Sequence, residues 1–143
     1  MLNFINDIRR RISEIQTNRG KEVKKFVVDL KALIQLRIQR SGKGYNNEQY
    51  SPYSDGYVKA RKKAGYQTSF VDITRSGQMW GSVRPKVKSG LFITTVTLQA
   101  NGLLNLKKIN SFAKKRSNPL IPTKKELSLV SKWNNDRIRK YLI

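Results

Sequence analysis

A chain of 143 residues is one domain in length, and its apolar fraction of 38% lies below the about 45–50% of ordinary globular domains, so the expected core is modest and part of the burial falls to neighbouring subunits. Thirty Lys and Arg against nine Asp and Glu leave a formal charge of +21, which calls for a polyanionic or acidic partner: nucleic acid, an anionic membrane surface or an acidic protein face. The absence of Cys and His excludes disulfides, thiolate catalysis and Cys-ligated zinc, and removes the commonest general base and metal ligand, so neither cofactor nor metal is expected.

From the start of the chain, Leu2, Ile5, Ile8, Ile12 and Ile15 recur at steps of three and four, one face of a helix, with Asp7, Arg9, Arg10 and Glu14 elsewhere on it. The pattern restarts after "TNRGK": Val23, Phe26, Val27, Leu30, Leu33, Ile34 and Ile38 form a second stripe ending near Arg40. Gly20 either separates two helices or sits inside one, where it costs about 1 kcal/mol relative to Ala. The arginines of "MLNFINDIRRRISEI" follow the apolar positions, unlike a secretory signal. No tract is long and apolar enough to span a bilayer, so a soluble protein made in the cytosol, without a membrane partner, is expected.

Residues 41–56 are rich in Gly, Asn and Ser and contain Pro52, which reads as an extended loop, a length often functional in compact domains. Ser54 or Asp55 can cap a short helix, "GYVKARKKAG", that Gly65 ends. Val71 and Ile73 predict a brief extended piece, and "TRSGQMWGSV" a turn or single helical turn. In "LFITTVTLQA", Phe92, Thr94, Val96 and Leu98 alternate with Ile93, Thr95, Thr97 and Gln99, a β-strand whose partner is "MWGSVRPKVK" across a turn at Ser89-Gly90. Pro85 makes that partner an edge strand or a bulged one.

"LLNLKKINSFAKK" follows as a helix, "RSNPLIP" breaks it, and residues 117–143 form a closing arm and helix. There Thr123 and Glu126 have capping-box spacing ahead of Leu127, Val130, Trp133, Ile138, Tyr141 and Leu142. The order predicts an α+β fold: long N-terminal amphipathic helices and a C-terminal helix packed on a small antiparallel sheet, a single domain over 1–143.

Candidate chemistry is sparse. Asp55 and Asp72 could act as an acid–base or metal-holding pair, the basis of a carboxylate nuclease, or could simply cap a helix and orient the "TRSG" turn. Ser41, Gly42, Lys43 and Gly44 lack phosphate-loop spacing. Lys59, Arg61, Lys62 and Lys63 lie beside Tyr57 and Tyr66, a mixture suited to phosphate contact and base stacking or to a solvated helix face. Lys107, Lys108, Lys114, Lys115, Arg116, Lys124 and Lys125 spread further charge along the chain, which favours sequence-indifferent attraction over one recognition helix. Met79, Trp80 and Trp133 read as core more readily than as exposed anchors.

Taken in order, "RSGKG" from Arg40, "YSPYSDGYVKARKKAG" from Tyr50 and "VDITRSGQMWGSV" from Val71 resemble the virion-morphogenesis and tail-completion proteins of tailed bacteriophages. The arm "NPLIPTKKELSLVSKWNNDRIRKYL" resembles that family's closing segment. The resemblance implies a non-enzymatic structural virion protein, made in the host cytoplasm. It implies a homo-oligomeric ring in the neck at the head–tail connector, against portal or adaptor and tail proteins, around the genomic DNA channel. Tyr50, Pro52, Tyr53 and Tyr57 then fix the loop, Asp72, Thr74, Ser76 and Gly77 build the turn before the hairpin, and Trp80 packs beneath it. Lys59, Arg61, Lys62, Lys63, Lys114, Lys115 and Arg116 are the expected contacts to DNA or an acidic partner. The alternative is a free, sequence-nonspecific nucleic-acid-binding protein.

Overall fold

The computed structural model describes residues 2–89 and 94–139. In chain order these form α1 (Leu2–Ser41), α2 (Asp55–Lys63), α3 (Gln78–Ser82), β1 (Val83–Ser89), β2 (Thr94–Ala100), α4 (Leu103–Lys115) and α5 (Lys124–Arg139). The fold is α+β, with one two-stranded antiparallel sheet among the described residues.

Gly20 does not break the first helix. α1 is one element of 40 residues, roughly 60 Å long at 1.5 Å per residue. The second apolar stripe supplies the core: Val27, Leu30, Ile34 and Ile38 are buried, and Phe26 and Leu33 pack against the same cluster. Arg9, Arg10 and Glu14 are exposed. The side chains of the predicted first stripe, Leu2, Ile5, Ile8, Ile12 and Ile15, lie outside the described residues.

α1 stops at Gly42, whose N–H donates to the Ile38 carbonyl at 2.8 Å and whose φ of +62° is left-handed. A Cβ here would stand 2.9 Å from Cβ of Phe70, so glycine alone satisfies both the helix-ending conformation and the close approach. The predicted loop then closes on itself. Gly44 N–H donates to Glu48 O at 2.8 Å and Tyr50 N–H to Gly42 O at 2.9 Å, around an antiparallel bridge between Lys43 and Gln49.

The hairpin registers Val83 against Ala100, Pro85 against Leu98 and Val87 against Val96 on one face. This is the face turned to the core, with Val83 and Ala100 buried. Arg84, Lys86 and Lys88 lie opposite Gln99, Thr97 and Thr95 and are exposed. Period-two alternation is thus kept on both strands. Pro85 is tolerated because each strand of a two-stranded sheet is an edge. The strand begins later than its sequence indicates: α3 occupies Gln78–Ser82, closed by Gly81 N–H on Gly77 O at 2.8 Å and the Ser82 hydroxyl on Met79 O at 2.7 Å. The turn at Gly90, with Phe92 and Ile93, lies outside the described residues.

α5 starts with the predicted capping box. Thr123 N–H donates to Glu126 Oε2 at 2.7 Å, and Glu126 N–H to Thr123 Oγ1 at 3.1 Å, satisfying two of the helix's orphan donors. Val130 enters the core fully, while Leu127 and Trp133 are about 40% exposed. Trp133 is therefore a surface residue and not the core residue its type predicts; Met79 and Trp80 are core as expected. The predicted α5 positions Tyr141 and Leu142, and the Ile138 side chain, lie outside the described residues.

Two arginines fasten α5 to α1. Arg37 donates to Glu126 Oε1 at 2.8 Å, to Lys43 O at 2.6 Å and to Ile121 O at 3.1 Å. Arg137 donates to Asp29 Oδ2 at 2.8 Å. A planar guanidinium can bind a carboxylate and loop carbonyls together, which an ammonium on a flexible stem does poorly.

Candidate functional site

The motif region folds around Arg61. α2 carries Tyr57 and Arg61 on one face, four residues apart, and Ser54 precedes the helix in extended conformation as its N-cap. Arg61 is 2% exposed. Its Nη2 meets both oxygens of Asp72, at 3.1 and 3.0 Å, its Nη1 donates to Thr74 O at 2.7 Å and its Nε to Gln67 O at 2.9 Å. The guanidinium also stands 4.8 Å from the ring centre of Tyr53, 5.4 Å from that of Tyr66 and 5.8 Å from that of Tyr57. A buried charge is tolerated when it is paired and hydrogen-bonded throughout, and this one is.

Asp72 is the other half of the node. Besides Arg61, its Oδ1 accepts the Tyr53 hydroxyl at 2.9 Å and Thr74 N–H at 3.0 Å, the second being the side-chain-to-backbone turn for which Asp is suited. The Tyr53 hydroxyl in turn accepts Ile73 N–H at 3.2 Å. Burial, with the Asp72 carboxylate beside it, pushes the Tyr53 hydroxyl up to about 12, so it stays protonated and donating. Gln39 of α1 donates to Thr74 Oγ1 at 2.9 Å, tying the node to the long helix.

Ile73 has φ of +54°, a left-handed conformation that a β-branched residue rarely adopts. The predicted extended piece at Val71 and Ile73 is accordingly not a strand. Hydrogen bonds on both sides, Ile73 N–H to Tyr53 and Thr74 N–H to Asp72, hold the backbone in this turn against its preference. Val71 is fully buried and Ile73 packs against the core edge.

The predicted positions thus divide. Tyr53, Tyr57, Asp72 and Thr74 come together as a turn scaffold, Gly77 (φ +74°) opens α3, and Trp80 is buried at 2%. Tyr50 is buried and meets Phe112 of α4 edge-on, centroids 4.9 Å apart. Pro52 contributes its carbonyl, which with that of Ser51 accepts Arg116 at 3.0 and 2.9 Å. Ser76 is exposed.

One of the predicted polyanion contacts, Arg61, is corrected, and a second, Arg116, is half-buried and engaged within the fold. Arg61 is internal and saturated, because Asp72, eleven residues on, captures it. Arg116 fastens α4 to the loop and lies 5.2 Å from the Phe112 ring centre. Lys59, Lys62, Lys63, Lys114 and Lys115 remain exposed. The carboxylate pair also separates: Asp55 is exposed in the first turn of α2, while Asp72 is enclosed by Arg61, Tyr53 and Thr74. Among the described residues no three acids gather as a metal site, and no helix is long and apolar enough to cross a membrane.

Sequence reasoning missed Arg61 as the organiser. The available signal was arithmetic: in a chain with nine acids, an Asp between Val71 and Ile73 in an apolar setting demands a cation, and Arg fits such a site better than Lys.

Beyond the node, an open groove of about 800 Å3 runs between the 73–79 turn and α4. Compared with known proteins, the chain matches no family model, no curated protein and no solved structure.

Proposed function

We propose that this chain is a structural virion protein of a tailed bacteriophage, a ring-forming component of the head–tail connector that completes the portal-to-tail joint around the DNA channel. The observation that carries the reading is the fate of the motif between Tyr50 and Trp80. Its polar residues with chemical potential, Tyr53, Arg61, Asp72 and Thr74, are bound to one another. A segment so constructed suits a mount for neighbouring surfaces, as a scaffold protein requires. The long α1, anchored through its second half, gives such a domain reach beyond its own core. The modest apolar content suits a chain that completes its burial in an assembly.

The test is a map of the neck in intact particles, together with quantitation of the chain in purified virions. Ring density into which α1 and the hairpin fit is expected. Absence of the chain from purified particles, or its presence there only as a monomer, overturns the proposal.

A second reading, a free nucleic-acid-binding protein, is favoured by the exposed lysines of α2 and by Arg84, Lys86 and Lys88 along one strand face. It requires tight binding of bare DNA or RNA by the isolated chain, with affinity falling steeply as salt rises. Weak binding at physiological salt counts against it.

A further inference from the structure

The geometry points to the groove between the 73–79 turn and α4 as a docking site for a short acidic segment of a different protein, one in which carboxylates flank an apolar side chain. The groove has two chemistries. Its floor is apolar: Met79 is buried, Ile73 and Phe112 are half-buried, and Leu104 at one end is 73% exposed. Its rim is cationic: Arg75 on one side and Lys107, Lys108 and Lys115 on the other are exposed. These four have no acidic partner among the described residues, and no described carboxylate lines the groove. The strained turn at Ile73 presents an apolar side chain here, where the extended backbone natural to isoleucine would not follow this path.

Charge complementarity selects the occupant. A second copy of the chain, at +21 with nine acids, brings like charge; Asp72 and Glu126 are buried, Glu14, Glu22 and Asp29 already hold ion pairs, and of the described acids only Glu48, Asp55 and Asp136 are exposed outside a described ion pair. Duplex DNA presents phosphates on a convex ridge and leaves an apolar floor unused. Single-stranded nucleic acid needs free aromatic faces for stacking, but Arg116 lies over Phe112, Arg61 over Tyr53 and Tyr57, and the two tyrosines pack edge-on at 5.0 Å. A peptide with an apolar side chain for the floor and carboxylates for the rim uses both chemistries. From Leu104 to Lys115 the helix rises roughly 16 Å, the span of about five extended residues.

That the segment belongs to a neighbouring virion protein rests on the neck proposal, whereas the groove's chemistry does not. The test is fluorescence anisotropy at physiological salt with two labelled synthetic peptides of equal charge, one with aspartates around a Leu-Phe pair and one with serines in place of that pair. The apolar peptide is expected to bind about tenfold tighter or more. Lys107→Glu with Lys108→Glu, or Lys115→Glu on its own, weakens it about tenfold. Leu104→Ser weakens it about threefold and leaves the serine peptide unchanged. The charge-matched control Lys59→Glu with Lys62→Glu, off the groove, preserves the preference. All these side chains are exposed, and matching circular dichroism melts establish that the variants are folded. Equal affinity for the two peptides, indifference to Leu104→Ser, or equipotent competition by a short DNA duplex overturns the inference. Those results would leave the neck reading standing, and absence of the chain from purified particles would leave the groove standing.

Discussion

α2 and α4 are both basic helices ending in a Lys-Lys pair, yet they hold their charge differently. α2 turns one of its four cations inward, where Arg61 organises Asp72, three tyrosines and two loop carbonyls. α4 keeps Lys107, Lys108, Lys114 and Lys115 in solvent and, of its cations, engages within the fold its C-cap residue, Arg116. Within these two helices the inward cations are arginines and the exposed ones lysines, although Arg75 and Arg84 elsewhere are exposed. Arg37, Arg61, Arg116 and Arg137 clasp carbonyls and carboxylates across the fold, while exposed lysines supply the field that an acidic partner meets. A high net charge therefore mixes two populations, and only one of them is available to a ligand.

The contrast is broken most severely at Asp72. Asp72→Ala leaves Arg61 buried without its counter-ion and is expected to cost about 3–5 kcal/mol in urea denaturation; a loss below 1 kcal/mol would mean that Arg61 finds water or another acid. Arg61→Lys keeps the charge but drops the fork that reaches Asp72, Gln67 and Thr74 together, with an expected loss of about 2–3 kcal/mol by the same measurement. Arg116→Ala, on the partly exposed end of α4, should cost about 1–2 kcal/mol.

Tyr53→Phe should cost about 1 kcal/mol at neutral pH, since it removes the donor to Asp72 and the acceptor of Ile73 N–H. It also has a pH signature. The folded protein holds the Tyr53 proton up to about 12, against the ordinary tyrosine value of 10.0, so between these values the unfolded chain binds fewer protons than the folded one. The stability this confers is complete below pH 10 and is lost as pH rises through about 12. Wild type is expected to lose stability more steeply than Tyr53→Phe across that window. Smallest of all, Lys62→Ala with Lys63→Ala should shift the unfolding midpoint by the equivalent of about 0.5 kcal/mol or less, which sharpens the contrast with Arg61 one residue away.

Much of the fold was legible in the residues. The stripe from Val23 to Ile38, the Thr123–Glu126 box and the alternation in β2 are local patterns, and local patterns report local structure. Continuity of α1 through Gly20 was not legible, because a cost of about 1 kcal/mol for one glycine is easily outweighed by a long helix with a packed second half. Nor was Ile73: a left-handed β-branched residue contradicts its own propensity, and the hydroxyl that accepts its N–H belongs to Tyr53, twenty residues earlier. Trp133 faced outward for a similar reason. Periodicity placed it on an apolar stripe, but which stripe positions are covered depends on the partner helix, and Val130 takes the buried place. At the site, the aromatic and acidic residues were found singly; the pairing of Arg61 with Asp72 required the third dimension.

The clasp between α1 and α5 has a consequence for how the molecule assembles itself. Arg61 and Asp72 are 11 residues apart and Tyr53 and Asp72 are 19 apart, whereas Arg37 and Glu126 are separated by 89 and Arg137 and Asp29 by 108. Closing the short loops costs less chain entropy, so the motif region can consolidate before the terminal helix is in place. During synthesis α5 emerges after α1 to α4 and docks onto an already ordered body. In native-state hydrogen exchange the amides of α5 should open as a unit below the energy of global unfolding, while those around Val71 and Trp80 exchange only with it.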